Sequence, residues 1–562
     1  MDVLASRGRP NHLTRKSVMI QRIALVLFHL AIPLGFARAA QEAQTKKPTD
    51  VEVTCKPKEK VDVGGQTGEP DRVEIASGVI EGLGWKDGVR VFRGIPFAEP
   101  PVGELRWRAP QPVKPWRGVR KADKFGPPPM QLSLGKSVNG LSPSEDSLYL
   151  NVWTAAKDAT ERRPVMVYIY GGAFNGGGTG DSVTDGANFA KKGVVLVNFN
   201  HRVGVFGFLA HPELSRESGK GSGCYGIQDQ IAALRWVREN IAQFGGDPAR
   251  VTVFGQSSGG TSVSILAQSP LAAGLFQRAI CQSGGAMAPI KSTPHESPGL
   301  IQSLPLAEEQ GKKFLASLGV KDIKAARALS ADAVMKGNAG GLPWPVADGE
   351  TIVGDPYELY QSGRFNDTPV LVGINSNDGG LLGSPKKTPA EFEKQVRDSF
   401  GEDAAAFLAA YPHATAAEAS RSTRDLIRDS LFGTSSWAWA KLQSEKGKHK
   451  AYLYYFDYGA ARGEAGHGSE VPYVFGNLNR WFPPKATPEN VAMSDTIMSY
   501  WVNFAASGEP NGPGLPVWPA FDAEGMKAMT FGKSPQAGPT PNLDKIKAYD
   551  ACWARLREKR RK

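Results

Sequence analysis

The sequence predicts an α/β protein: a mostly parallel central sheet with helices on both faces and insertions around one site. Three observations predict it. Apolar runs rich in Val, Ile and Tyr recur at 165–170 (VMVYIY), 194–199 (VVLVNF), 251–254 (VTVF) and 369–373 (PVLVG), and end in Gly, Asn or Ser, as strands buried on both faces do. Between such runs lie helical stretches. In 228–244 (QDQIAALRWVRENIAQF) the apolar Ile231, Leu234, Val237 or Trp236, and Ile241 fall three and four residues apart, and Gly245-Gly246-Asp247-Pro248 then stops the helix. The composition completes the case: 562 residues with 41% hydrophobic and 22% charged suit a large folded core. Gly 64 and Pro 41 make it turn-rich without reaching low complexity.

From the N-terminus, Arg7, Arg9, Arg15, Lys16 and Arg22 precede an apolar run at 23–37 (IALVLFHLAIPLGFA), and Ala37-Arg38-Ala39 has the A-x-A form of a cleavage site. Residues 1–39 therefore read as an export signal, with translation starting at Met1 or Met19. That run holds His29, Pro33 and Gly35, and a spanning helix needs about 20 apolar residues, so no stable membrane span is expected after cleavage. Polar residues 40–70 read as a linker. Residues 71–554 hold every motif below and read as one large domain, and 555–562 (RLREKRRK) as a solvated basic tail. The formal charge is +11, but 1–39 and 555–562 each contribute +5. A body this close to neutral excludes a nucleic-acid partner.

Four cysteines, Cys55, Cys224, Cys281 and Cys552, permit three full disulfide pairings, and the sequence does not choose among them. Cys281, within FQRAICQSGG, reads as a buried thiol; a clasp between Cys55 and Cys552 would join the two ends. No CxxC and no His/Cys spacing marks a zinc site.

The sharpest motif is Gly255-Gln256-Ser257-Ser258-Gly259. It follows VTVF and precedes Gly260, Thr261, Ser262 and Val263, small enough to open a helix. Strand, tight turn and helix are the context of a nucleophile elbow, where neighbours must lack bulk and the hydroxyl stands above the sheet. Register selects Ser257, because Ser258 would need glycine at 256.

A serine hydroxyl needs a base, and the base needs an orienting acid. In elbow-bearing hydrolases they follow in the order Ser, Asp/Glu, His. Of the histidines at 201, 211, 295, 413, 449 and 467, only His467 stands in a Gly-rich loop (GHGSE) far downstream, where catalytic side chains concentrate. Asp378, in INSNDGG, comes directly after PVLVG, on the rim where α/β sheets build sites. By itself it would read as a turn aspartate. The loop 170–174 (YGGAF) follows VMVYIY, and its small residues let backbone approach a substrate oxygen. The amides of Gly172, Ala173 and Ser258 are the expected oxyanion donors. A phosphate-gripping loop is excluded, since no G-x-x-x-x-G-K-[ST] occurs.

Longer segments then carry a resemblance. Residues 93–107 (RGIPFAEPPVGELRW), 145–153 (EDSLYLNVW), YGGAF, 200–209 (NHRVGVFGFL), 226–260 (GIQDQIAALRWVRENIAQFGGDPARVTVFGQSSGG) and 467–476 (HGSEVPYVFG) resemble the type-B carboxylesterase family (carboxylesterases, cholinesterases and related lipases). The resemblance runs from about residue 72 to the C-terminal region, in the family's order. It implies an α/β-hydrolase fold for 71–554, a triad of Ser257, Asp378 and His467, and an oxyanion hole of Gly172, Ala173 and Ser258. It also implies a structural ion pair between Arg93 and Glu145, and Ser283 supporting the triad from behind.

Three positions depart from the family. Asp378 stands where Glu is usual, one methylene shorter, which leaves Asp348 and Glu470 as alternative acids. Ser147 replaces a frequent cysteine, so that disulfide is absent. Gln256 replaces a frequent Glu and removes a charge beside the site.

What the resemblance implies functionally is a secreted or periplasmic serine carboxylesterase, cleaving a small-molecule ester through an acyl-enzyme with no metal or organic cofactor. Two other readings stay open: a non-catalytic binding protein on the same fold, and attack on carbamates or amides. Phe174, Trp344 and Pro345 either line an acyl pocket or are plain core. Acyl preference, alcohol preference and oligomeric state have no sequence code.

Overall fold

Strand formation follows the apolar runs. In chain order one sheet contains β1 (Trp85–Lys86), β2 (Val89–Pro96), β3 (Tyr149–Thr154), β4 (Arg163–Ile169), β5 (Val195–Phe199), β6 (Gly246–Gln256), β7 (Arg278–Gln282), β8 (Val370–Asn375), β9 (Ala451–Phe456), β10 (Lys527–Phe531) and β11 (Pro535–Pro539). The computed structural model describes residues 71–561 apart from 132–139, 295–298, 339–342, 384, 460–463 and 482–485. The export signal, the linker and Cys55 lie outside the described residues.

The strands lie in the order β11-β10-β9-β8-β7-β6-β4-β5-β3-β2-β1. Pairing is parallel from β10 across to β5. It is antiparallel at the two margins, β10 with β11 and β5 through β3 and β2 to β1. The predicted runs became β4, β5, the end of β6, and β8. Side chains alternate across the sheet, so each central strand feeds two cores. Val165, Val167 and Ile169 of β4 join Ile231 and Leu234 on one face, while Met166 and Tyr168 join Phe475 and Trp501 on the other. Each such burial stabilises the fold by roughly 1.5–3 kcal/mol.

The predicted helix is α1 (Tyr225–Asn240), which tightens into a 3-10 turn (Ile241–Phe244) and stops at Gly245, left-handed at φ 76°. Trp236 and Val237 are both buried. Farther along come α2 (Ser258–Leu266), α3 (Ala416–Arg428), α4 (Thr434–Lys446) and α5 (Leu543–Arg561). No described helix is long and apolar enough to cross a membrane.

Two expectations are corrected here. Residues 555–561 do not form a separate tail: they are the last turns of α5, with Arg557 buried and 558–561 exposed. Arg557 is 6% exposed and holds Asp355 at 3.1 Å and the Met287 carbonyl at 2.6 Å. Arg561 meets Glu358 at 2.7 Å, and Arg555 and Lys559 pair with Asp403 and Glu402. Helical spacing puts these cations beside an acidic surface that the sequence scatters from 355 to 403. Nor does Arg93 pair with Glu145. That carboxylate takes a two-pronged bond from Arg106 at 2.7 Å, whose remaining amine reaches the carbonyls of Ala326 and Leu329. Arg93, within β2, lies over the Phe125 ring at 4.4 Å and faces Asp185 at 3.9 Å. Cys224, Cys281 and Cys552 are buried free thiols, as expected for Cys281.

Candidate active site

The elbow is built by close backbone packing. β6 ends at Gln256, α2 begins at Ser258, and Ser257 between them adopts φ 60°, ψ −127°. A non-glycine residue held there costs roughly 1–3 kcal/mol, which the surroundings must offset. They do so with bonds from the Ser257 amide to the Gln282 carbonyl at 2.8 Å and from the Thr261 amide to the Ser257 carbonyl at 2.9 Å. Both motif glycines are sterically required. A Cβ on Gly259 would stand 2.1 Å from the Ile169 carbonyl oxygen, and one on Gly255 2.5 Å from the Gly259 backbone.

The candidate acid and base sit on two loops that are laced together. Asn377 bridges Gly466, with its amide donating to the Ala465 carbonyl at 2.9 Å. The Asn375 side-chain amide donates to the Gly466 carbonyl at 2.8 Å and to Glu470 at 2.5 Å. That lacing explains how the shorter acid reaches its partner. His467 Nδ1 donates to Asp378 Oδ1 at 2.7 Å, while Asp378 Oδ2 accepts from the Asn375 amide at 2.8 Å. Asp378 is fully buried. Asp348, one alternative acid, instead accepts from the amides of Thr351 and Ile352 at 2.8 and 2.9 Å. Glu470, the other, is held by Asn375 and Gln282.

Electrostatics at the base are contested. Burial pushes the His467 pKa down, but the hydrogen bond and charge of Asp378, with the charge of Glu470, raise it above the ordinary imidazole value. Glu470 is itself raised, by burial first and then by the Asp378 charge. The other described histidines serve elsewhere. His201 stacks on Tyr170 at 4.4 Å, and burial lowers its pKa to about 3. His211 caps a helix at Glu213 and His413 bonds the Tyr411 carbonyl.

In the loop after β4, Gly172, Ala173 and Phe174 all have positive φ, at 135°, 55° and 57°. A Cβ on Gly172 would meet the Gly176 carbonyl oxygen at 2.2 Å. Among the described residues the amides of Gly172 and Ala173 donate to no backbone carbonyl, and that of Ser258, opening α2, has no intrahelical acceptor. A Cβ on Gly171 would lie 2.8 Å from the Ser257 Cβ, so loop and elbow are in contact. Phe174 packs edge-on to Trp344 at 5.8 Å beside this loop, and both are buried. Pro345 is buried as well. Ser283 is fully buried at the end of β7, and its hydroxyl bonds nothing among the described residues.

Two neighbours escaped the sequence reading. Phe432 stacks on the His467 ring at 4.8 Å and 20° from a π-helical turn, Asp429–Gly433, wedged between α3 and α4. Such turns concentrate at functional sites, but no residue pattern announces this one. The Gln256 carboxamide lies 3.2 Å from His467 Nε2; its position before the nucleophile was a signal, its contact was not. Among the described residues no group of His, Cys, Asp or Glu could hold a metal ion.

A sequence model described as the carboxylesterase family matches residues 69–549. A fumonisin B1 esterase of Sphingopyxis macrogoltabida is 36% identical over 507 residues, covering 85% of this chain and 89% of its own. The para-nitrobenzyl esterase of Bacillus subtilis is 36% identical over 462 residues, covering 79% and 91%. Among solved structures, the Geobacillus stearothermophilus carboxylesterase EST55 superimposes with a TM-score of 0.74 at 32% identity, over 85% of this chain and 99% of its own. With the elbow, laced loops and glycine-rich turn in the family's order on an α/β-hydrolase sheet, the chain belongs to the carboxylesterase family and is a serine carboxylic-ester hydrolase.

Proposed function

We propose that this esterase is exported and cleaves small-molecule carboxylic esters through an acyl-enzyme on Ser257. The observation that carries the proposal is the 2.7 Å bond from His467 Nδ1 to the buried Asp378, with His467 Nε2 turned toward the elbow residue Gln256. Asp378 can only accept, so it keeps the imidazole proton on Nδ1 and leaves Nε2 basic. His467 takes the Ser257 proton as Oγ bonds the ester carbon, and the carbonyl electron pair moves onto oxygen. The amides of Gly172, Ala173 and Ser258 receive that oxyanion. Collapse expels the alcohol, protonated by the imidazolium, and leaves an acyl-serine. Water activated by His467 repeats the cycle and frees the acid. Neither metal nor organic cofactor enters any step. Phe174 and Trp344, edge to face beside the oxyanion loop, are proposed to wall the acyl side.

Mass spectrometry after a fluorophosphonate probe tests the chemistry: the folded protein is expected to carry the adduct on Ser257, and an unmodified serine overturns the mechanism. Export rests on the 1–39 pattern. N-terminal sequencing of protein recovered outside the cytoplasm is expected to begin after Ala39, and full-length protein confined to the cytoplasm would refute it.

A further inference from the structure

His467 Nε2 must receive the proton of Ser257, yet its hydrogen-bond partner is a different side chain. Gln256, 8% exposed, places its amide nitrogen 3.2 Å from that atom. The carboxamide lies between two loops. A Cβ on Gly171 would lie 3.1 Å from its Oε1, and one on Gly468 3.6 Å from its Nε2. It therefore spans the floor between the oxyanion loop and the histidine loop.

We propose that Gln256 is a positioning residue for the base: in the resting enzyme its amide donates to the Nε2 lone pair, holds the imidazole neutral, and yields that lone pair to Ser257 when substrate binds. The inference rests on the acyl-enzyme reading above. Its logic is one of donors and acceptors. Nδ1 is committed as a donor to Asp378, so only the neutral ring can accept at Nε2. In this orientation of the carboxamide, an imidazolium would turn an N–H toward the N–H of the amide, and the bond would be lost. Every carboxylate facing the ring pulls the other way. Asp378 after β8 and Glu470 on the ring's own loop both favour the charged form. Asp429, on the π-helical turn behind Phe432, is already paired with Arg428 at 2.8 Å. Tyr454 of β9 stays a neutral phenol, pushed well up by burial. The elbow brings no titratable group. A neutral donor at 256 thus opposes the two acids, whereas a carboxylate of the same size would accept from the imidazolium and join them.

The test is the rate of Ser257 phosphonylation by a fluorophosphonate as a function of pH, in the intact protein and in Gln256→Glu and Gln256→Met. Labelling needs neutral His467, so it fails as pH falls. In Gln256→Glu the acid limb is expected to move up by about one pH unit, making labelling about tenfold slower there relative to its own plateau. Gln256→Met, which removes the donor without adding charge, should move the limb the same way by about threefold; it carries the test alone if the Glu variant does not fold. Limbs that superimpose on the parent's, or a downward move in Gln256→Glu, overturn the role of Gln256 while leaving the acyl-enzyme intact. A parent protein that takes no label at any pH overturns both.

Discussion

Two buried acid–base pairs in this protein look alike and behave differently. Asp378 with His467 and Asp229 with Arg202 both meet at 2.7 Å, and both carboxylates are fully buried. Asp229 is saturated by one residue, accepting the Arg202 backbone amide at 3.0 Å and its guanidinium at 2.8 and 2.7 Å. A guanidinium does not release its proton, so that pair is a fixed strut for the segment 200–209. Asp378 instead faces a ring that can exist neutral or charged, and the second nitrogen of that ring looks at the elbow. Depth and short distance are common to both. What separates the two is a partner that can lose a proton and a second nitrogen turned toward the elbow.

The comparison can be broken at either pair. Ser257→Ala or His467→Ala should cost at least about 10⁴-fold in kcat on a p-nitrophenyl ester. Asp378→Asn, which inverts the imidazole tautomer, should cost about 10³–10⁴-fold with little change in the denaturation midpoint. The matching change Asp229→Asn should show the reverse: a stability loss of about 3–5 kcal/mol by chemical denaturation, because it strands a buried guanidinium, and kcat within about tenfold. Equal kinetic losses in the two variants would erase the distinction.

Smaller effects sharpen it. In the proposed mechanism His467 must be neutral to act, and its pKa is raised. Activity should therefore be present at high pH and fall about tenfold per unit as pH drops below a midpoint above 6.5; a midpoint below that value would contradict the influence of the two carboxylates. Least of all, Phe432→Leu removes the ring stacked on His467 and should lower kcat/KM by about two- to tenfold. No loss at all would mean that the lacing of the two loops suffices to orient the base.

The elbow, the glycine-rich loop after β4 and the histidine loop were legible because their requirements are local. Gly255 and Gly259 are needed by atoms within a few ångströms of the serine, and the strands ahead of Ser257, Ala173 and Asp378 betray themselves by apolar runs. Arg106 was not legible as the partner of Glu145. Arg93 and Arg106 lie in the same resembling segment, and only the path of the chain after β2 brings one of them over the carboxylate. Phe432 was hidden for a similar reason, since a π-helical turn inside a helical stretch shifts register without changing composition.

By itself, then, the order of residues determined the fold class, four strands of the sheet, and the candidate nucleophile with a shortlist for its partners, because periodicity and steric allowance act over a handful of neighbours. Tertiary structure alone decided which of three acids meets His467, which side chain rests on its second nitrogen, and that the basic C-terminus continues a helix whose Arg557 is buried. Those outcomes depend on contacts between segments up to hundreds of residues apart, whose geometry is set only once the strands have found their places.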